Sequence, residues 1–412
     1  MMHSAVGIWI LSALICVGRS DHHFGMNHGD QHTAVDNSAD SLSQVTAANK
    51  EFAFRLYKKL AAHADSAGKN IFFSPASVSV ALAALSVGAR GETHSQLFSG
   101  LGFSSQLTQR DVDQAFRMLL ERENSISQED ISEGTAVFVD NRFKPKYDFL
   151  DTLKQSYSAD GFNVSFTQTK QSADTINKYV SEKTNGKIDK LVEDLDASTI
   201  MYLVSYIYYK GKWATPFETD NTKEDSFTVD ENTKVKVQMM NMEKTVDAYY
   251  DAGINTSVLH LPFNNSYSML LMLPDDMATL ENAICPGHIT KWLKWMKSNI
   301  HDVYIPKFSI KSSYTLNDVL TEMGMTDMFG DRADLSGISE GQKLAVSDVV
   351  HQATLDVDEA GATAAAATGI GITLLSFRHV PVLKFNRPFM AVIIERNSEN
   401  ILFMGKIINP NI

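Results

Sequence analysis

From Ala360 to Phe377 the chain carries no charged residue: Ala-Gly-Ala-Thr-Ala-Ala-Ala-Ala-Thr-Gly-Ile-Gly-Ile-Thr-Leu-Leu-Ser-Phe. A membrane helix needs about twenty strongly apolar residues, and the first half here is only Ala, Gly and Thr. A surface helix would use the Ala run but is opposed by three glycines and has no polar face. A plain flexible linker would not end in Ile-Thr-Leu-Leu. What fits is an exposed, extended segment that can also become a buried strand. With a period of two, Ala362, Ala364, Ala366, Thr368, Ile370 and Ile372 share one face, and no charge has to be buried with them.

The rest of the chain must therefore supply a sheet. Met201–Tyr209 is apolar or aromatic except at Ser205, which predicts a strand covered on both faces. Further strands are expected at Gly134–Val139, Lys234–Met240, Ser257–Pro262, Met269–Leu273, Leu383–Phe385, Met390–Glu395 and Ile401–Gly405. Helices are expected at Ser172–Thr184, Ile289–Asn299 and Leu316–Met323. Another runs from Pro75 to about Val87, capped by Ser74, lined with small residues and ended by Gly88. Strands and helices are mixed without regular βαβ alternation, so the fold class is α+β.

Regular structure is expected from near Ala47, and no linker divides residues 46–412. Residues 1–20 read as a signal peptide, with an apolar run too short to span a bilayer and small residues Gly18 and Ser20 before the cut. Residues 21–45 read as a disordered polar tail. Its His22, His23, His28 and His32 lack the Cys or carboxylate partners of a metal site. Cleavage would remove Cys16 and leave Cys285 as a lone thiol. Asn163-Val-Ser, Asn255-Thr-Ser and Asn264-Asn-Ser are glycosylation sequons and fit a secreted, extracellular protein.

The formal charge of −12 disfavours nucleic acid and anionic membranes as partners. Arg110, Arg117 and Arg122 are interleaved with acidic residues, as on a solvated helix face. Gly337-Ile-Ser-Glu-Gly341 fits the nucleophile-elbow pattern of hydrolases, but a polar loop precedes it where a strand is required.

Several strings in order resemble one family: Asn70-Ile-Phe-Phe-Ser-Pro, Tyr208-Tyr-Lys-Gly-Lys-Trp213, Asp358-Glu-Ala-Gly-Ala-Thr-Ala-Ala-Ala-Ala-Thr368, Phe385-Asn-Arg-Pro-Phe389 and Phe403-Met-Gly-Lys406. Over residues 46–412 the sequence resembles the serpins, in particular the plasma group of alpha-1-antitrypsin and alpha-1-antichymotrypsin. The resemblance implies three β-sheets, about nine helices and an exposed reactive-centre loop at about 359–382. It implies a monomeric inhibitor without cofactor or metal, not an enzyme, whose partner is a serine protease held as a covalent acyl complex. A non-inhibitory carrier of a small hydrophobic ligand is the alternative.

Matched residue by residue, Glu359, Gly361, Ala362, Thr363, Ala364, Ala365, Ala366 and Ala367 form the hinge that inserts first. Leu375–Ser376 is the reactive bond, with the bonds after Phe377 and Arg378 as alternatives. Ser74, Ser77 and His351 match a cluster that controls sheet opening, and Trp213 marks where insertion starts. Ser205 departs from the pattern, standing where many relatives carry an asparagine that bonds the matching histidine.

Overall fold

The computed structural model describes residues 33–124, 131–341, 343–360 and 380–412. The hinge from Gly361 to Ala367 and the bond Leu375–Ser376 lie outside these residues, as do the leader and the histidines of the tail. Among the described residues there are nine α-helices and fourteen strands.

The first helix, α1 (Thr33–Ala62), starts well before Ala47 and takes in the end of the expected tail. Ser41 and Val45 are already buried, and Ala48, Phe52, Leu56 and Leu60 continue that face. The sequence hid this turn because its apolar contacts are sparse, while its exposed side is held by a Gln44–Asp40 bond one turn apart (2.7 Å). Strand β1 (Ile71–Phe73) leads into α2 (Pro75–Gly88). The Ser74 hydroxyl caps α2 by accepting from the Ser77 N–H. Apart from Val80 and Val87, α2 is buried throughout, which explains its small residues. Gly88 ends it under the loop around Ile338, where a Cβ would lie 2.1 Å from the Ile338 side chain.

Helices α3 (Gly91–Leu101) and α4 (Gln109–Asn124) follow, then β2 (Ile131–Asp140), α5 (Tyr147–Tyr157), β3 (Asp160–Val164), α6 (Thr169–Lys183) and β4 (Met201–Tyr209). On α4 the Arg117–Glu121 pair (2.9 Å) is exposed, as expected of a solvated face. Next come β5 (Lys223–Thr228), β6 (Lys234–Asp251), β7 (Thr256–Pro262), β8 (Tyr267–Pro274), α7 (Met277–Ala283) and α8 (Pro286–Trp295). The chain closes with β9 (Lys297–Pro306), β10 (Phe308–Thr315), α9 (Asn317–Glu322), β11 (Asp348–Val357), β12 (Val382–Lys384), β13 (Phe389–Glu395) and β14 (Ile401–Ile407).

The helix expected to reach Asn299 stops at Trp295. From Lys297 the chain pairs with β6 as strand, starting at Ala248↔Lys297. Cys285, at the start of α8, is not a free thiol, contrary to the sequence expectation. The other cysteine, Cys16, lies outside the described residues.

The strands form a five-stranded sheet ordered β10-β11-β4-β2-β3 and a nine-stranded one. The latter has two sectors, β1-β14-β13-β8-β7 and β5-β6-β9-β12, joined along the 18-residue β6. Counting each sector gives the three sheets expected. In the five-stranded sheet β4 and β11 run parallel, in register from Tyr202↔Asp348 to Tyr209↔Leu355. Every residue of β4 is buried. One face meets the core of α1 and α2, and on the other Tyr202, Val204 and Tyr206 meet Phe138, Ile176 and Val180 beneath α6.

Candidate functional site: the β4–β11 seam and the start of the loop

Strands β4 and β11 are tied by side chains as well as backbone. His351 is fully buried, and its Nε2 accepts the Ser74 N–H at 2.9 Å. An amide can only donate, so Nε2 is unprotonated and the ring proton sits on Nδ1. That N–H is then the donor to the Ser205 hydroxyl, 3.0 Å away on β4. The shorter serine thus makes the bond expected of an asparagine, because the register places Ser205 directly beside His351.

The chain of bonds continues through α2. Ser74 Oγ donates to Ser77 Oγ (3.0 Å), and Ser77 Oγ donates to Glu133 Oε2 on β2 (3.3 Å). The four sequence-selected residues therefore come together, and Glu133, which carried no sequence signal, completes the cluster. Burial pushes the Glu133 carboxyl up, partly offset by the Ser77 bond. Burial lowers the His351 pKa to about 3, with the Ser205 contact opposing it. A second ring proton would also confront the Ser74 N–H.

At the other end of the seam, Trp213 holds the departing chain. Its backbone N–H donates to Ala360 O (3.0 Å) and its indole N–H to Asp358 O (2.8 Å). The ring stacks on Phe263 with centroids 4.6 Å apart. Glu359 is buried and accepts from Lys307 Nζ (2.9 Å) and the Thr222 hydroxyl (2.8 Å). Burial alone would raise its pKa, but these bonds outweigh it and hold the carboxyl below its usual value. Lys210 pairs with Asp358 at 2.7 Å. Lys307 and Thr222 are remote in sequence and were not legible there, while Lys210 stood within the Tyr208–Trp213 string without a role.

The described chain resumes at Val380. Pro381 O accepts the Asp302 N–H (2.9 Å), and β12 pairs parallel with β9. The described chain thus stops at Ala360 beside the β4–β11 seam and resumes at Val380, next to β9. Ser339, in the elbow-like string, lies buried in a turn with no strand before it, which removes the hydrolase reading. Among the described residues no cluster could hold a metal, and no helix is long and apolar enough to cross a membrane.

The site thus centres on a buried parallel pair of strands within a five-stranded sheet, with the hydrogen-bonded Asp358–Ala360 segment beside one end of their seam. The chain belongs to the serpin family, whose model, described as serpin (serine protease inhibitor), matches residues 47–410. It is 39% identical over 387 residues to serpin A3-5 of Bos taurus, covering 93% of this chain and 92% of that relative. It is 37% identical over 411 residues to the hibernation-specific plasma protein HP-55 of Tamias sibiricus, covering 98% of each. Human thyroxine-binding globulin complexed with thyroxine matches with a TM-score of 0.84 at 33% identity, covering 90% of this chain and 100% of the other.

Proposed function

We propose that this chain is a secreted, monomeric inhibitor that traps a chymotrypsin-like or elastase-like serine protease as an acyl complex at Leu375. The protease serine attacks the Leu375 carbonyl. The bond to the Ser376 nitrogen breaks, the new amine leaves with the C-terminal segment, and an ester joins protease to Leu375. The freed loop then enters the seam between β4 and β11, carrying the protease with it.

The observation that supports this most is the parallel β4–β11 pair with the loop leaving from its end. A segment turning back at Asp358–Ala360 runs antiparallel to β11, and hence to β4 as well. One parallel ladder is exchanged for two antiparallel ones, each slightly stronger per residue. Dragging the acylated protease misplaces its catalytic groups, and a displacement of about 1 Å can slow chemistry ~100-fold. A leucine suits an apolar pocket, whereas a trypsin-like pocket would keep an unsatisfied carboxylate. Thyroxine-binding globulin, seen in complex with thyroxine, shows that this fold can also bind a small ligand. The uncharged hinge Gly361–Ala367 favours inhibition here, because nothing in it resists burial.

Incubation with chymotrypsin, elastase and trypsin tests the proposal. An SDS-stable complex with the first two and a released peptide beginning at Ser376 are expected. A peptide beginning at Arg378 or His379 would move the bond, and cleavage without any complex would refute inhibition.

A further inference from the structure

Strand β7 leaves β6 at a fixed point. The two pair from Asp251↔Thr256 to Asp247↔His260, and Thr245 would meet Pro262 next. Proline has no N–H to give, and the Pro262 carbonyl accepts the Ala214 N–H instead (2.9 Å). Strand β5 pairs with β6 only as far as Met239. One edge of β6 between Met239 and Asp247 is thus left without a strand, while the other edge pairs with β9 throughout.

The direction of the Thr245 backbone follows from its neighbours. On β9 the Asp302 N–H donates to Pro381 O, away from β6, so Val303 and His301 turn toward β6. Their partners Met242 and Lys244 point back at β9, and Thr245, like Asp247, points to the open edge. The Thr245 N–H and C=O have no partner among the described residues. A cavity of about 240 Å³ fills the opening, lined by Thr245 and by the buried side chains of Trp213, Met242 and Leu261. Lys244 and Asp247 on its rim carry opposite charges. Burial lowers the pKa of His260, whose Nδ1 lies 3.6 Å from Asp247, so the ring is neutral at pH 7 and the cavity has no net charge.

We infer that this opening binds a small planar molecule with a lactam edge, whose carbonyl accepts the Thr245 N–H and whose ring N–H donates to the Thr245 carbonyl. In an extended strand the N–H and C=O of one residue lie on the same side, as the cis-amide of a lactam requires. Apolar walls around a few polar groups suit an aromatic ring. The cavity is smaller than the ~300–1,000 Å³ of drug-sized sites, which limits the occupant to one or two fused rings. Trp213 also holds Ala360 and Asp358, so the site adjoins the start of the reactive loop.

Isothermal titration with 2-quinolone tests the inference, with N-methyl-2-quinolone as the control that lacks the donor. One saturable site with a Kd of about 1 mM or tighter is expected. N-methylation should weaken it at least about tenfold, because the Thr245 carbonyl is then left unpaired. Thr245→Pro removes only the outward N–H, and Thr215→Trp puts a large side chain at an exposed position of the lining. Each should weaken 2-quinolone to the same extent while leaving the melting temperature within a few degrees of wild type. Absence of saturable binding would overturn the site. Equal binding of the two compounds would overturn the paired edge, and binding that survives in either folded variant would overturn the location.

Discussion

Gln352 is fully buried on β11, between Tyr206 of β4 and Ser313 of β10, and neither end of its amide has a hydrogen-bond partner among the described residues. The Thr354 hydroxyl, next on the same face, shares that state. A buried polar group without a partner costs about 1–3 kcal/mol, and Gln352 has a donor and an acceptor in that position. Gln352→Met removes both while keeping an unbranched side chain of similar volume. The intact protein should gain about 2 kcal/mol, which for a chain of this length is a rise in melting temperature of ~2–4 °C. If, as proposed, the loop enters between β11 and β4, the same change should slow insertion and send more of the protein to simple cleavage. Thermal melting of intact protein, with titration against chymotrypsin, reads both effects. A lower melting temperature would refute the reasoning, since it would mean that the amide is satisfied in solution.

The buried neutral His351 makes the fold acid-sensitive. Its folded pKa lies below its unfolded one, so the unfolded chain binds the extra proton first. Its contribution is complete above about pH 6.5 and shrinks by up to ~1.4 kcal/mol per pH unit down to the folded value of about 3. Melting temperature against pH should therefore show a component between those limits that His351→Gln lacks. Ala364→Glu should turn inhibitor into substrate, because a carboxylate would have to enter the sheet; full-stoichiometry trapping by this variant would contradict strand insertion. Glu359→Ala leaves Lys307 and Thr222 without their acceptor and should loosen the loop's start, read as faster protease cleavage. Of the sequons, the Asn163 amide already donates to Val139, Asp140 and Phe143 carbonyls, whereas Asn264 projects from an exposed position. Peptide mapping of the protein expressed through a secretory pathway should find higher glycan occupancy at Asn264 than at Asn163.

Much of the site was legible because its chemistry is written locally. A strand buried on both faces has to be apolar throughout, so Met201–Tyr209 could be read directly. The Ser74–Pro75 helix start is a local capping signal, and the structure forms that cap. Boundaries set by long-range pairing were not legible. The sequence carried helical periodicity past Trp295 until β6 claimed Lys297, and the strands β5, β9 and β11 alternate too weakly to announce themselves, whereas β10 does alternate but was not expected.

The sequence by itself determined the composition of the parts: which strand is buried on both faces and which helix is buried. Tertiary structure alone decided how they are locked. Ser205 reaches His351 because parallel pairing puts those two positions side by side across 146 residues of chain. Glu359 is held by Lys307 and Thr222, and Glu133 closes the Ser74–Ser77 chain, for the same reason. Hydrogen-bond partners must lie within about 3 Å in space, and sequence spacing constrains that distance only within a turn or a helix.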